Sequence, residues 1–249
     1  MVPHRRTASY RCAATLLALL VTLEGEAEAP SSRTAAPLVL RTLTQQGSGP
    51  LLENLGSGVV FGPYFVTVYH NLDPLGFRRD NHPSRSISYL GAVPVEALYT
   101  DIPSDIAVLS LPDGLCHPNC AELPVWNQTL PSLSQRVRWF SSSVPGLGEA
   151  GEWRQARVVS RTVIRSATVE RSLASQLPQE PCPAGLVYEL DTPFPPGSSG
   201  TGVFDLQGLL IGIAQGSYQY EDGRVTGYFR PWSCIARQWP PLNVPLEGP

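Results

Sequence analysis

Three short stretches of the chain hold side chains suited to proton transfer and nucleophilic attack. The first runs through Gly56-Ser57-Gly58-Val59-Val60-Phe61-Gly62 into Tyr64-Phe65-Val66-Thr67-Val68-Tyr69 and ends on His70 and Asn71. An imidazole titrates near neutrality, so a histidine delivered at a strand end can exchange protons with a reacting group. The other histidines lack this framing: His4 lies in the basic N-terminal segment, and His82 and His117 sit among polar loop residues. In the second stretch, Ser104-Asp105 opens the apolar run Ile106-Ala107-Val108-Leu109, with Asp101 the nearest competing acid. A carboxylate set beside an imidazole fixes its tautomer and stabilises the imidazolium formed in reaction. The third stretch is Pro196-Gly197-Ser198-Ser199-Gly200-Thr201-Gly202, followed by the apolar run Leu209 to Ile213. A serine in so small a turn keeps its hydroxyl accessible, while the amides of Gly197 and Ser199 converge on a developing oxyanion. Taken singly, each stretch has a plainer meaning: a structural histidine, a turn aspartate, a flexible Gly-Ser loop. Taken together, they supply a nucleophile, its base and the acid that orients the base, which is the equipment of acyl transfer.

The elements that must position these residues read as β-strands. The 249 residues, 42% of them hydrophobic, suffice for one large all-β domain or two small ones. Apolar, β-branched runs of four to eight residues recur at Ser57–Phe61, Tyr64–Tyr69, Val93–Tyr99, Ile106–Leu111, Gln135–Phe140, Arg157–Ile164 and Leu209–Ile213. Gly, Pro, Asn and Asp separate them, the pattern of a sandwich or barrel. Helical periodicity is scarce: Val169–Leu177 reads as a short helix or loop, and Pro231–Trp239 as a terminal helix stopped by Pro240-Pro241. The Pro- and Ser-punctuated segment Leu123–Ser134 reads as the connection between two β halves.

Charge and the N-terminus bound the setting. Net charge is only -3 and no Lys/Arg run occurs, so neither nucleic acid nor an anionic membrane is expected as a partner. All 18 basic residues are arginine, which excludes a Ser/Lys dyad. Arg5, Arg6 and Arg11, the apolar run Cys12–Leu23 and the ending Ala27-Glu28-Ala29 have the layout of a secretory signal peptide. That run is well short of the roughly 20 residues a membrane span needs. Export, to a periplasm or to the medium, is therefore expected, with no stable membrane span after signal cleavage. Removal of Cys12 leaves Cys116, Cys120, Cys182 and Cys234, an even number suited to disulfides in an oxidising compartment. Three pairings are open; the preferred one joins Cys116 with Cys120 and Cys182 with Cys234. Cys116-His117-Pro118-Asn119-Cys120 has a second reading as half of a zinc site, which lacks the paired cluster that a structural zinc requires. No metal and no cofactor are expected. Asn127-Gln128-Thr129 is a formal glycosylation acceptor and decides nothing.

The chain order His70, Asp105, Ser199 in an all-β sequence resembles the trypsin-like serine peptidases and differs from the orders in subtilisins and α/β-hydrolases. Within that clan the similarity is to the bacterial high-temperature-requirement protease domains. Their nucleophile segment reads roughly Thr-Asp-Ala-Ala-Ile-Asn-Pro-Gly-Asn-Ser-Gly-Gly-Pro, and Asp191 and Pro196-Gly197-Ser198-Ser199-Gly200 align with it without gaps. The resemblance spans about residues 50 to 216. It implies two six-stranded antiparallel β-barrels with the active site in the cleft between them, and an endopeptidase acting on protein or peptide substrates through a Ser-His-Asp triad and an acyl-enzyme. The corresponding layout is a signal peptide at 1–29, a leader or linker at 30–48, an N-terminal barrel at 49–125, a C-terminal barrel at 126–239 and a Pro-rich tail at 240–249. By the same resemblance, Ala214, Gln215 and Gly216 would line the primary specificity pocket and pair with substrate backbone. Pro193 would form the base of that pocket; it carries no charge, so small or medium apolar side chains are favoured over Lys or Arg. Three departures bear on activity: Val68-Tyr69 before the histidine is bulky, Thr201 replaces a glycine after the serine, and Ser198 stands where trypsins carry the aspartate that pairs with a new N-terminus. An inactive binding module that keeps the fold is the alternative reading.

Overall fold

The computed structural model describes residues 38–74, 84–112, 114–115, 125–141, 151–163 and 181–242. Cys116, Cys120, His82, His117, the segment Val169–Leu177 and the N-terminal leader lie outside the described residues.

Among the described residues, the N-terminal half holds eight strand segments. They are β1 (Val39–Gln46), β2 (Leu51–Ser57), β3 (Val59–Phe61), β4 (Tyr64–Thr67), β5 (Ser84–Leu90), β6 (Val93–Val95), β7 (Ala97–Asp101) and β8 (Ile106–Ser110). They pair as two sheets, β2-β1-β5-β6 and β3-β4-β8-β7. Only Gly58 separates β2 from β3, and only Glu96 separates β6 from β7, so two bent strands pass from one sheet into the other at both edges. The eight segments are thus six continuous strands around one barrel, and bending at such corners is how a small sheet closes on itself. Gly58 suits its corner because a Cβ there would fall 2.2 Å from the Phe65 ring. β1 opens the barrel at Val39, upstream of residue 49, where the sequence reading began it. The alternation of β1 is masked because its inward face is Leu40, Thr42 and Thr44, all fully buried. The two threonines meet Ser88 and Ser86 on β5, each pair 2.9 Å apart, so this end of the barrel is closed by hydroxyl pairs.

The C-terminal half is a closed six-stranded barrel in the order β10-β11-β14-β13-β12-β9. Its strands are β9 (Arg136–Ser141), β10 (Glu152–Val163), β11 (Leu186–Leu190), β12 (Gly202–Asp205), β13 (Leu210–Gln219) and β14 (Val225–Pro231). It is filled by Val137, Trp139, Leu186, Tyr188, Val203 and Phe229 among others. β14 runs straight into the helix α1 (Trp232–Gln238), and Leu242 beyond it is fully buried, so packing continues past the expected tail boundary at 240. Cys182 and Cys234 are joined in a disulfide, with Cα atoms 5.3 Å apart, which ties α1 to the segment entering β11.

What places one barrel against the other is a third apolar cluster. Val59, Phe61, Val66, Val68, Ile106 and Val108 from the first barrel meet Leu210, Ile213, Trp232, Ile235 and Leu242 from the second. Ile106 and Val108 on β8 face this seam, while Leu109 joins Leu40, Phe65 and Leu90 inside its own barrel. A strand buried on both faces loses its polar alternation, which is why Ile106 to Leu109 reads as an unbroken apolar run. Trp126, in the connection between the halves, bridges to Leu210.

Candidate active site

Each of the three chemical residues sits where a strand ends at the seam. β4 ends at Thr67, and the chain then turns through a single 3₁₀ turn, Tyr69–Asn71, which carries His70. Asp105 lies in the turn between β7 and β8, where its amide donates to Ile102 O at 3.1 Å. Asp105 has φ +54°, a left-handed conformation that Asp tolerates better than most residues but that still costs free energy. The turn aims its carboxylate across at His70: Oδ2 lies 2.8 Å from Nδ1, and Oδ1 accepts the His70 amide at 3.0 Å. Two bonds to one residue fix both the imidazole face and the backbone that bears it. The first barrel therefore brings His70 and Asp105 together.

Ser199 comes from the second barrel, in the turn before β12, and the seam grips its backbone. Its carbonyl accepts from the Ser57 amide at 2.8 Å and from Asn71 Nδ2 at 2.9 Å. Asn71 also donates to Thr67 Oγ1 at 3.0 Å, Thr67 Oγ1 donates to Ser57 O at 2.7 Å, and Ser57 Oγ donates to Gly197 O at 2.9 Å. Ser57, Thr67 and Asn71 are all buried, so this network is shielded from water and holds the serine turn in fixed register with the histidine turn. The approach is so close that two glycines are obligatory. A Cβ on Gly200 would stand 1.8 Å from Ser57 O, and one on Gly56 would stand 2.1 Å from the Asn71 amide. The sequence reading did not single out Ser57, Thr67 or Asn71; the local signal for them was the serine set between two glycines.

The Ser199 hydroxyl donates to Gln215 O at 3.4 Å. The amides of Gly197 and Ser199 donate to no described group. Gly197 has φ +83°, a conformation that glycine adopts without strain. β13 lies alongside: Gly200 N donates to Ala214 O at 2.7 Å and Ala214 N to Thr201 O at 2.9 Å. Ala214 is fully buried, Gly216 partly exposed and Pro193 exposed. Ser217 Oγ bridges both the amide and the carbonyl of Phe194, at 2.8 and 2.9 Å. The Gln215 side chain is buried in the seam, where Nε2 donates to Ser104 O at 2.5 Å and to Asp105 O at 3.4 Å. Tyr228, opposite Gly216 on β14, has its phenol pushed up to about 12 by burial and by the Asp105 carboxylate.

The three sequence departures resolve locally. Thr201 is buried and turns its hydroxyl away from the cleft to Phe140 O, at 3.1 Å. Tyr69 hydrogen-bonds Asp73 on its own turn, and its phenol is raised by burial and by that carboxylate. Ser198 is buried, and among the described residues its hydroxyl finds no partner. Among the described residues no group of His, Cys, Asp and Glu is arranged to hold a metal ion.

Two antiparallel barrels meeting along one cleft define a serine endopeptidase of the double-barrel kind. The family described as trypsin-like peptidase domain matches residues 56–213, and the chain belongs to that family. Solved structures bear out the fold. The Rv3671c protease of M. tuberculosis in its active form has TM-score 0.51 and 20% identity, covering 100% of this chain and 96% of that one. The apo MamO protease domain of Magnetospirillum magneticum has TM-score 0.50 and 17% identity, covering 83% of this chain and 97% of that one. A sequence search of curated proteins finds no match.

Proposed function

We propose that the chain is an exported endopeptidase in which His70, Asp105 and Ser199 form the catalytic triad. The observation that carries this reading is the Asp105–His70 pair, 2.8 Å apart, held against the Ser199 turn by the Asn71 amide. In this reading His70 takes the Ser199 proton as Oγ attacks the peptide carbonyl, and Asp105 stabilises the imidazolium. The Gly197 and Ser199 amides bind the oxyanion, the amine leaves with the proton from His70, and water repeats the cycle on the acyl-enzyme. Ala214, Gln215 and Gly216 would offer their backbone to the substrate chain, with Pro193 at the pocket. Residues 1–29 act as the export signal, and the Cys182–Cys234 disulfide suits an oxidising compartment.

One observation favours a second reading, an inactive binding module: the Ser199 hydroxyl turns to Gln215 O. A fluorophosphonate probe followed by intact-mass measurement separates the two. A single adduct, lost in Ser199→Ala, supports the triad. No adduct on folded wild-type protein overturns it and leaves the binding module.

A further inference from the structure

The aspartate and the serine of the triad belong to different barrels, and one residue touches the machinery of both, by its backbone on one side and its side chain on the other. Gln215 lies on β13. Its carbonyl accepts the Ser199 hydroxyl at 3.4 Å, and its amide crosses the seam to the carbonyls of Ser104 and Asp105. Those two carbonyls belong to the turn that holds Asp105 at φ +54°. A left-handed aspartate is kept in place only when its surroundings over-determine it. The turn's own contribution is modest: the Asp105 amide to Ile102 O at 3.1 Å, and the Ser104 amide to Asp101 Oδ1 at 3.3 Å. His70 in the first barrel also holds the Asp105 carboxylate, and the second barrel adds Gln215 and, more weakly, Gln238 at the end of α1, whose amide reaches Ser104 Oγ at 3.4 Å.

Resting on the triad reading above, we infer that Gln215 is a positioning residue: its buried amide holds the left-handed Asp105 turn so that the carboxylate meets His70 while the same residue's backbone meets Ser199. Gln215 is only 5% exposed and its side-chain amide is occupied on the seam side, so the side chain does not contact substrate. Gln215 therefore acts through Asp105, and its loss misaligns the Asp105–His70 pair without emptying the substrate cleft. A misplacement of about 1 Å in such a pair costs on the order of 10²-fold in rate.

The test is steady-state hydrolysis of a peptide substrate by the full mature chain, with rates expressed per active site titrated by the fluorophosphonate probe. Gln215→Met keeps the length of the side chain and removes its donors. Gln215→Asn keeps a donor one methylene short, and it carries the comparison if Gln215→Met does not fold. The expected result is a fall of about 10- to 100-fold in kcat per titrated site for Gln215→Met at nearly unchanged KM. Gln215→Asn should fall between Gln215→Met and wild type. Gln238→Ala, which removes only the bond to the Ser104 hydroxyl, should stay within about threefold of wild type. Gln215→Met with wild-type kcat per site overturns the inference, as does a loss confined to the titratable fraction or to the unfolding midpoint, because a merely structural role would give that. A wild-type chain that takes no label overturns the triad reading itself, and this inference with it. A labelled wild type alongside an equally fast Gln215→Met overturns this inference alone.

Discussion

Gly200→Ala puts the seam between the barrels to its sharpest test. Gly200 follows the serine directly, and an added Cβ would stand 1.8 Å from Ser57 O and 2.5 Å from Thr67 Oγ1. A carbon and a carbonyl oxygen pack no closer than about 3.3 Å, so the seam must open by about 1.5 Å. Ser57 O is backbone within β2 and has no flexible end to yield. An opening of that size breaks the bonds from Ser57 N and Asn71 Nδ2 to Ser199 O and from Ser57 Oγ to Gly197 O. At about 0.5–1.5 kcal/mol net for each buried bond, the three together are worth about 1.5–4.5 kcal/mol. The φ of +92° adds about 1 kcal/mol of strain for alanine. The expected loss is therefore about 2.5–5.5 kcal/mol, a large share of the stability of a single domain. Gly47→Ala is the control. Its φ is also positive, +56°, but nothing lies within 4 Å of the added carbon, so it should lose only the strain of about 1 kcal/mol. Equilibrium urea unfolding gives both values, and fluorophosphonate labelling of Ser199 reports whether the serine turn has moved. A Gly200→Ala chain no less stable than Gly47→Ala, with wild-type labelling, would refute the account of the seam.

Asp105→Asn leaves the turn sterically intact but removes the charge that favours the imidazolium, so kcat should drop by about 10³- to 10⁴-fold with little change in stability; peptide hydrolysis checks this, and a drop under tenfold would count against the triad. Reducing the Cys182–Cys234 bond releases a loop spanning 52 residues, which on chain-entropy grounds costs about 4 kcal/mol; the urea midpoint of Cys182→Ser/Cys234→Ser should fall accordingly, and an unchanged midpoint would contradict it. The Tyr228 phenol, raised from 10.0 to about 12, keeps its proton in the folded chain at pH values where the unfolded chain has lost it. Its stabilisation is therefore fully present below pH 10 and is lost as pH rises towards about 12. Unfolding measured across that window should show stability falling with pH more steeply in wild type than in Tyr228→Phe, and identical slopes would remove Tyr228 as the cause.

How far the sequence alone reaches is clear from particular residues. The strands around His70 and Asp105 were legible because they are apolar runs of strand length bounded by turn residues, whereas the burial of Ile106 to Leu109 on both faces emerges only from the packing of the two barrels. The Gly-Ser-Ser-Gly turn was legible because small residues between two strand signals specify a tight, exposed serine. β1 was not, since Thr42 and Thr44 on its inward face bury their hydroxyls against Ser86 and Ser88 rather than showing apolar alternation. Nor was the role of Asn71, Ser57 or the Gln215 side chain. Each is an ordinary polar residue in sequence, and each acquires its meaning from a partner 111 to 142 positions away, with Ser199 held by Ser57 and Asn71, and Ser104 held by Gln215. Local sequence determines strand, turn and the chemical types available, because those depend on backbone preference and on burial pattern within a few residues. Where a hydroxyl points, which amide is buried and which glycine cannot carry a side chain are decided by the docking of two barrels, because that docking alone sets the distances between groups far apart along the chain.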